Sequence, residues 1–279
     1  MRRALSFVFA AFALGGIGSA QTLKFVRPVV SASEDGPPLE TGSSFQPGDA
    51  VFFSFQADGY KVSSLGKVQL TAHIQAFDSR NIPIAPVDEE VIGTTLSAED
   101  KDWKPKIRSQ LILPSIAPPG PWLIQYDITD EQTHQTLKGE TRFSVRGDSA
   151  DPSPALVIRN FGFYRSQGDA TPLHLAAYQP GDMIWVRFAI TGYKYGEQNA
   201  VDVSYDVAIS GPGGRQLFLQ EDAAEEKSQA FYPQPWVPAE FNLTLQNNTD
   251  PGTYLLTITA HDQVGNRVAT VRDDFRVEK

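Results

Sequence analysis

The chain has 279 residues, 41% of them hydrophobic, and a formal net charge of −9, which is enough apolar material for two cores of ordinary domain size. The acidity runs through both halves, 12 Lys+Arg against 16 Asp+Glu over residues 21–147 and 10 against 17 beyond, so nucleic acid and anionic membrane surfaces are poor partners. There is no Cys, which excludes a disulfide framework and thiol chemistry alike.

In chain order, Arg2 and Arg3, an apolar run over residues 4–14, and the small residues Gly18, Ser19 and Ala20 before Gln21 spell a secretory signal peptide over residues 1–20. The residues after the arginine pair do not support a twin-arginine signal. The apolar run is too short to span a membrane, which takes about 20 residues. No Cys follows the cleavage point to carry a lipid. The expected product is exported, periplasmic or extracellular, not inserted in a membrane, with its charge moved from −9 to −11 by loss of the two arginines.

Residues 21–147 form the first expected unit. A strand over residues 23–30 leads into a polar loop. Pro47 and Gly48 then fit the central positions of a type II turn, the first needing the negative φ that a proline ring fixes and the second a positive φ. Val51, Phe53 and Phe55 alternate with Phe52, Ser54 and Gln56, the period of two of a half-buried strand. Val68, Leu70, Ala72, Ile74 and Ala76 repeat it. Residues 83–105 dissolve into charge and read as connection, with an edge strand near Val91 and Ile92. Leu111 and Leu113 resume the alternation, Trp122, Ile124, Tyr126 and Ile128 line the next inner face, and Phe143 and Val145 close the unit.

Residues 148–153 are small, polar and end near two prolines, as an inter-domain linker does. They offer no evident apolar anchor, so the second unit, residues 154–279, is expected to fold separately. Its sequence repeats the first: residues 46–61, QPGDAVFFSFQADGYK, return as residues 179–194, QPGDMIWVRFAITGYK, with eight of sixteen positions identical at an offset of 133. Strands carry Ile184, Val186, Phe188 and Ile190, then Val201, Val203, Tyr205, Val207 and Ile209. Gly211, Pro212, Gly213 and Gly214 dictate a hairpin turn, and an acidic loop is expected over residues 221–226. Trp103-x-Pro105 and Trp236-x-Pro238 mark the same corner in both units. After it the offset becomes 132, matching Pro119-Gly120 to Pro251-Gly252 and Phe143 to Phe275.

Asp250-x-Gly252-x-Tyr254 has the form of the tyrosine corner, whose hydroxyl bonds back to nearby backbone. On these motifs both units resemble bacterial immunoglobulin-like or fibronectin type III-like domains, of the kind ending in a Pro-Gly-x-aromatic strand and a final Phe-x-Val strand. The resemblance implies an all-β chain of two tandem β-sandwich domains related by internal duplication. It specifies a fold and not a function. Trp122 and Pro118 stand in the first unit where the Tyr and Asp should be, so that corner cannot use a hydroxyl.

Catalytic patterns are absent from the sequence. His73, His134, His174 and His261 are scattered singly, with no spacing that pairs metal ligands. Ser64-x-x-Lys67 lies between strand patterns rather than at the helix start its motif needs. The expectation is therefore a non-enzymatic chain without cofactor. It would be a binding or scaffold module of the bacterial cell envelope, offering loops or sheet edges to another envelope or secreted protein. One alternative is a carbohydrate-binding module with an aromatic platform of Phe231, Tyr232 and Trp236, for which the first unit retains only Trp103. A second is a periplasmic chaperone-like protein that presents an edge strand. No metal site is expected; Asp148 and Asp151 in the linker are the weak candidates for Ca²⁺.

Overall fold

The computed structural model describes residues 22–100 and 102–279; the expected signal peptide lies outside them. Regular secondary structure is almost entirely β-strand, in four sheets. In the first half β1 (Lys24–Ser31), β2 (Ala50–Asp58) and β5 (Lys106–Ile112) form an antiparallel sheet in the order β1-β2-β5. Against it packs a second antiparallel sheet, β4-β3-β6-β7, made of β3 (Lys67–Phe77), β4 (Asp88–Thr95), β6 (Gly120–Asp130) and β7 (Gln135–Val145).

The second half repeats the order. β8 (Val157–Tyr164), β10 (Met183–Thr191) and β13 (Val237–Thr244) form β13-β10-β8. Facing them, β11 (Val201–Ser210), β12 (Gln216–Ser228), β14 (Gly252–Asp262) and β15 (Arg267–Val277) form β12-β11-β14-β15, extended by the two-residue β9 (Ala177–Tyr178) parallel to β15. The first half makes the same parallel contact as a single bridge, Phe45 to Val145.

Period-two patterning places the cores. Val51, Phe53, Phe55 and Ala57 of β2 and Val68, Leu70, Ala72, Ile74 and Ala76 of β3 are all buried, as are Trp122, Ile124, Tyr126 and Ile128 of β6. Each sheet thus turns one apolar face inward. One core collects Phe53, Phe55, Ile107, Trp122 and Phe143; the other collects Ile184, Ile190, Leu256, Ile258 and Phe275.

Several of the repeated residues have the same task in both halves. Gly48 and Gly181 sit at φ 86° and 92°, the second position of type II turns. Asp49 and Asp182 close these turns, their Oδ2 atoms accepting the amides of Gln46 and Gln179 at 2.7 Å in both cases. Gly59 and Gly192, at φ 76° and 77°, lie where a Cβ would come within 2.1 Å of the Thr22 carbonyl oxygen and 2.0 Å of that of Ala155. No other residue fits. The amides of Lys61 and Lys194 then donate to Asp130 and Asp262, at 2.7 and 2.9 Å.

Two sequence expectations need correction. Asp88, Glu89 and Glu90 belong to β4, the edge strand expected near Val91 and Ile92, rather than to the connection before it, and residues 221–226 are strand in β12, not loop. On an edge strand the charged side chains reach water while the backbone still pairs on one side, so charge alone does not exclude a strand. The other correction concerns the linker: Ala150 within it is buried against Ala189 and Trp236, with Ile116 of the first half beside them. A one-carbon side chain is easily overlooked as an anchor.

Candidate functional site

The residues singled out from the sequence gather mostly at the junction of the two halves. The segment over residues 229–236, between β12 and β13, is fixed from its own half. The hydroxyls of Tyr193 and Tyr195 donate to the Gln234 carbonyl, at 2.5 and 2.6 Å, and Asn199 Nδ2 donates to the Phe231 carbonyl at 2.6 Å. So held, the segment points Tyr232 into the first half, where the side chain joins the first core and is only 6% exposed.

There the Tyr232 hydroxyl donates to Asp78 Oδ2 at 2.8 Å and accepts from Arg80 Nη2 at 3.2 Å. Asp78 is wholly buried. Its Oδ1 accepts the amides of Arg80 and Ile82, both at 2.8 Å, and its Oδ2 accepts Arg80 Nε and Nη2 at 3.2 and 3.1 Å. A buried carboxylate is tolerated only when so fully bonded. Burial, with the Asp78 carboxylate beside it, pushes the Tyr232 hydroxyl well above its ordinary pKa, so the phenol stays protonated and able to donate.

The expected aromatic platform does not form as a shared surface. Tyr232 and Trp236 are 6% and 7% exposed and committed to the junction, whereas Phe231 is 49% exposed. Trp103 is 36% exposed, edge-on to Tyr60 at 6.3 Å, and its carbonyl accepts the Tyr60 hydroxyl at 2.5 Å. Alternation within residues 229–236 cannot be read from sequence, because Tyr232 is covered by the other half and Trp236 by Ala150 and Ala189, distant in the chain. Asp148 and Asp151 are exposed, and among the described residues no three His, Cys, Asp or Glu side chains are grouped to hold a metal.

Beside the junction a cleft of about 700 Å³ is lined by Ile116, Asp148, Asn160, Tyr164, Arg187 and Trp236. The cation in its wall is engaged. Arg187 lies with Cζ 3.7 Å above the Tyr164 ring, its Nη2 donates to the Asp169 carbonyl, and its buried Nε sits 3.3 Å from Glu240 Oε2 without hydrogen-bond alignment. On the outer face of the β4-β3-β6-β7 sheet a shallow groove of about 510 Å³ runs past His73, Gln75, Asp127 and Lys138. His73 Nδ1 is 2.9 Å from Asp127 Oδ1, a cross-strand pair on a solvated face.

The remaining surfaces of note are two sheet edges, one of them the edge strand expected near Val91 and Ile92. β4 and β12 occupy the same outer position in their sheets. Val91 of β4 is 67% exposed, and Leu217, Phe218 and Leu219 of β12 are 49%, 44% and 48% exposed. Three consecutive exposed apolar residues on an edge strand are unusual, because such edges invite pairing with another chain. The signal was present in the sequence as an apolar triplet just after a Gly-rich turn.

No family model and no curated protein matches the chain. Among solved structures, the alkylpurine DNA glycosylase AlkC of Pseudomonas fluorescens, bound to DNA containing an abasic site analogue, is similar to part of it. The identity is 15%, over 45% of this chain and 30% of that one, with a TM-score of 0.29. The chain thus spans less than a third of the glycosylase's length, and a likeness this slight carries no argument about activity.

Proposed function

We propose that the chain is an exported pair of immunoglobulin-like β-sandwich domains, related by duplication, that serves as a non-catalytic binding or scaffold module of the bacterial cell envelope. Seven strands in two facing antiparallel sheets, repeated in the same order, support the domain reading. So does the corner at Tyr254, whose hydroxyl donates to the Asp250 carbonyl at 2.7 Å. The leader-like segment that ends at Ala20 supports export.

The observation that carries the binding role is the pair of free outer edges, β4 and β12, each with exposed apolar side chains. An edge strand supplies affinity through backbone hydrogen bonds and specificity through alternate side chains. The carbohydrate alternative is less favoured, since the junction occupies Tyr232 and Trp236.

The test is capture from an envelope extract of the source cell by tagged residues 21–279, with cross-linking and mass spectrometry. Val91→Lys and Phe218→Lys variants serve as comparisons. A protein retained by the unsubstituted chain and lost with either variant supports the reading. Retention of no protein above a tag control, or binding to a glycan array alone, would overturn it.

A further inference from the structure

We infer that the start of β12 is a self-complementary edge through which two copies of this chain pair. Residues 215–221 read Arg-Gln-Leu-Phe-Leu-Gln-Glu. Laid antiparallel on itself about Phe218, the segment brings Phe218 to Phe218, Leu217 to Leu219, Gln216 to Gln220 and Arg215 to Glu221 of the second copy. Every apolar residue meets an apolar residue, and the ends pair as opposite charges. Such directly opposed cross-strand pairs are the stabilising unit of a sheet.

The fold leaves this segment free to pair. Among the described residues, β12 is the outermost strand of its sheet, with β11 on one side only, and residues 216–222 are all exposed. Phe218 is opposite Ile209 and Leu219 opposite Ala208 on β11, so these two side chains lie on opposite faces of the strand, while Leu217 sits at a register shift between Phe218 and Gln216. An ordinary solvated edge would carry polar residues there. The ends of the segment are set by the backbone. Before it, the turn closes with Gly211 accepting the Gly214 amide at 2.8 Å. At its end, the ladder with β11 is interrupted between Gln220 and Ala224, so that Glu221 opens a bulge in which Asp222 takes φ 45° with its amide bonded to Asp206 Oδ1 at 2.9 Å. This bulge bends the acidic continuation, Glu225 and Glu226, off the line of the pairing segment.

The contact is isologous, so it closes at two copies and does not propagate. It joins the two β12-β11-β14-β15-β9 sheets into one continuous sheet. A strand pair this short is a small interface, and each copy is acidic, so the dimer is expected to be concentration-dependent. It goes beyond the envelope-binding role, because it concerns the purified chain alone and leaves the β4 edge free.

Sedimentation of residues 21–279 across the micromolar to submillimolar range reads the dimer directly. Phe218→Lys should weaken it roughly tenfold or more. Arg215→Glu and Glu221→Arg should each weaken it by placing like charges opposite one another, and the two together should restore it. A purely structural role would not give that rescue. Because the chain has no Cys, Phe218→Cys should form a disulfide-linked dimer on mild oxidation, with Leu65→Cys, at another exposed site, as control. A monomer throughout the range, or equal cross-linking at Phe218→Cys and Leu65→Cys, would overturn the proposal. A dimer that persists in the charge variants without rescue would overturn it too. If the monomer nonetheless captures a partner that Phe218→Lys releases, the envelope-binding role stands and only self-pairing fails.

Discussion

The two corners that carry Trp-x-Pro hold the same place in their halves and meet different fates. Trp103 precedes β5 and stays partly in water. Residues 229–236 lie before β13, against the first half, and there Trp236 is buried on Ala150 and Ala189 while Tyr232 enters the neighbouring core. The chemistry of the contact is present once. At the offset that relates the two Trp-x-Pro corners, Tyr232 has Glu99 as its counterpart in the first half, and Asp78 and Arg80 have Gly211 and Gly213 as theirs in the second. The first half therefore lacks the plug and the second lacks the socket, so this end-to-end contact joins two units and stops.

The corners that precede β6 and β14 make the complementary point. Tyr254 donates its hydroxyl to the carbonyl four residues back, and Trp122 donates Nε1 to the Pro118 carbonyl, also four back, at 3.0 Å. The first half, expected to do without the hydroxyl bond, makes the same connection through an indole. Geometry at that corner is kept although the donor changed. At the junction the donor is present on one side only.

The largest effect that would break the comparison is at the socket. Asp78→Ala should cost about 3 to 5 kcal/mol, because it leaves the Tyr232 hydroxyl and the amides of Arg80 and Ile82 without their acceptor, at about 1 to 3 kcal/mol for each buried donor left unpaired; urea unfolding of residues 21–279 measures it, and a loss under about 1 kcal/mol would mean the junction is wet. Trp236→Ala should lower stability by about 3 kcal/mol or somewhat more, against about 1 kcal/mol for the half-exposed Trp103→Ala. Equal losses would show that the shared motif, not its surroundings, sets the energetics.

Removing the corner hydroxyl with Tyr254→Phe should cost about 1 kcal/mol, read as a shift of the urea midpoint. Alkali offers a finer probe of the plug. Because burial raises the folded-state pKa of Tyr232 above its unfolded value of 10.0, its contribution is whole below that value and is lost as pH rises from there through the folded pKa. Thermal stability should fall less steeply above pH 10 in Tyr232→Phe than in the unsubstituted chain. The smallest change belongs to Phe231→Ala, within about 0.5 kcal/mol, a control that separates this exposed neighbour from Tyr232 and Trp236.

Strand positions, turn positions and the facing residues of each sheet were legible in the sequence, because a period of two and a glycine forced to positive φ are local properties. Val51, Phe53, Phe55 and Gly48 needed no knowledge of distant residues. The same holds for the repeat, whose Gln-Pro-Gly-Asp and Gly-Tyr-Lys serve contacts rebuilt in each half. Tertiary structure alone decided which aromatics of residues 229–236 face water, that Ala150 anchors the linker, and that the acidic stretch after Leu219 is strand. Burial at a junction depends on residues from the other half of the chain, as Tyr232 depends on Asp78, and no local pattern encodes a separation that long.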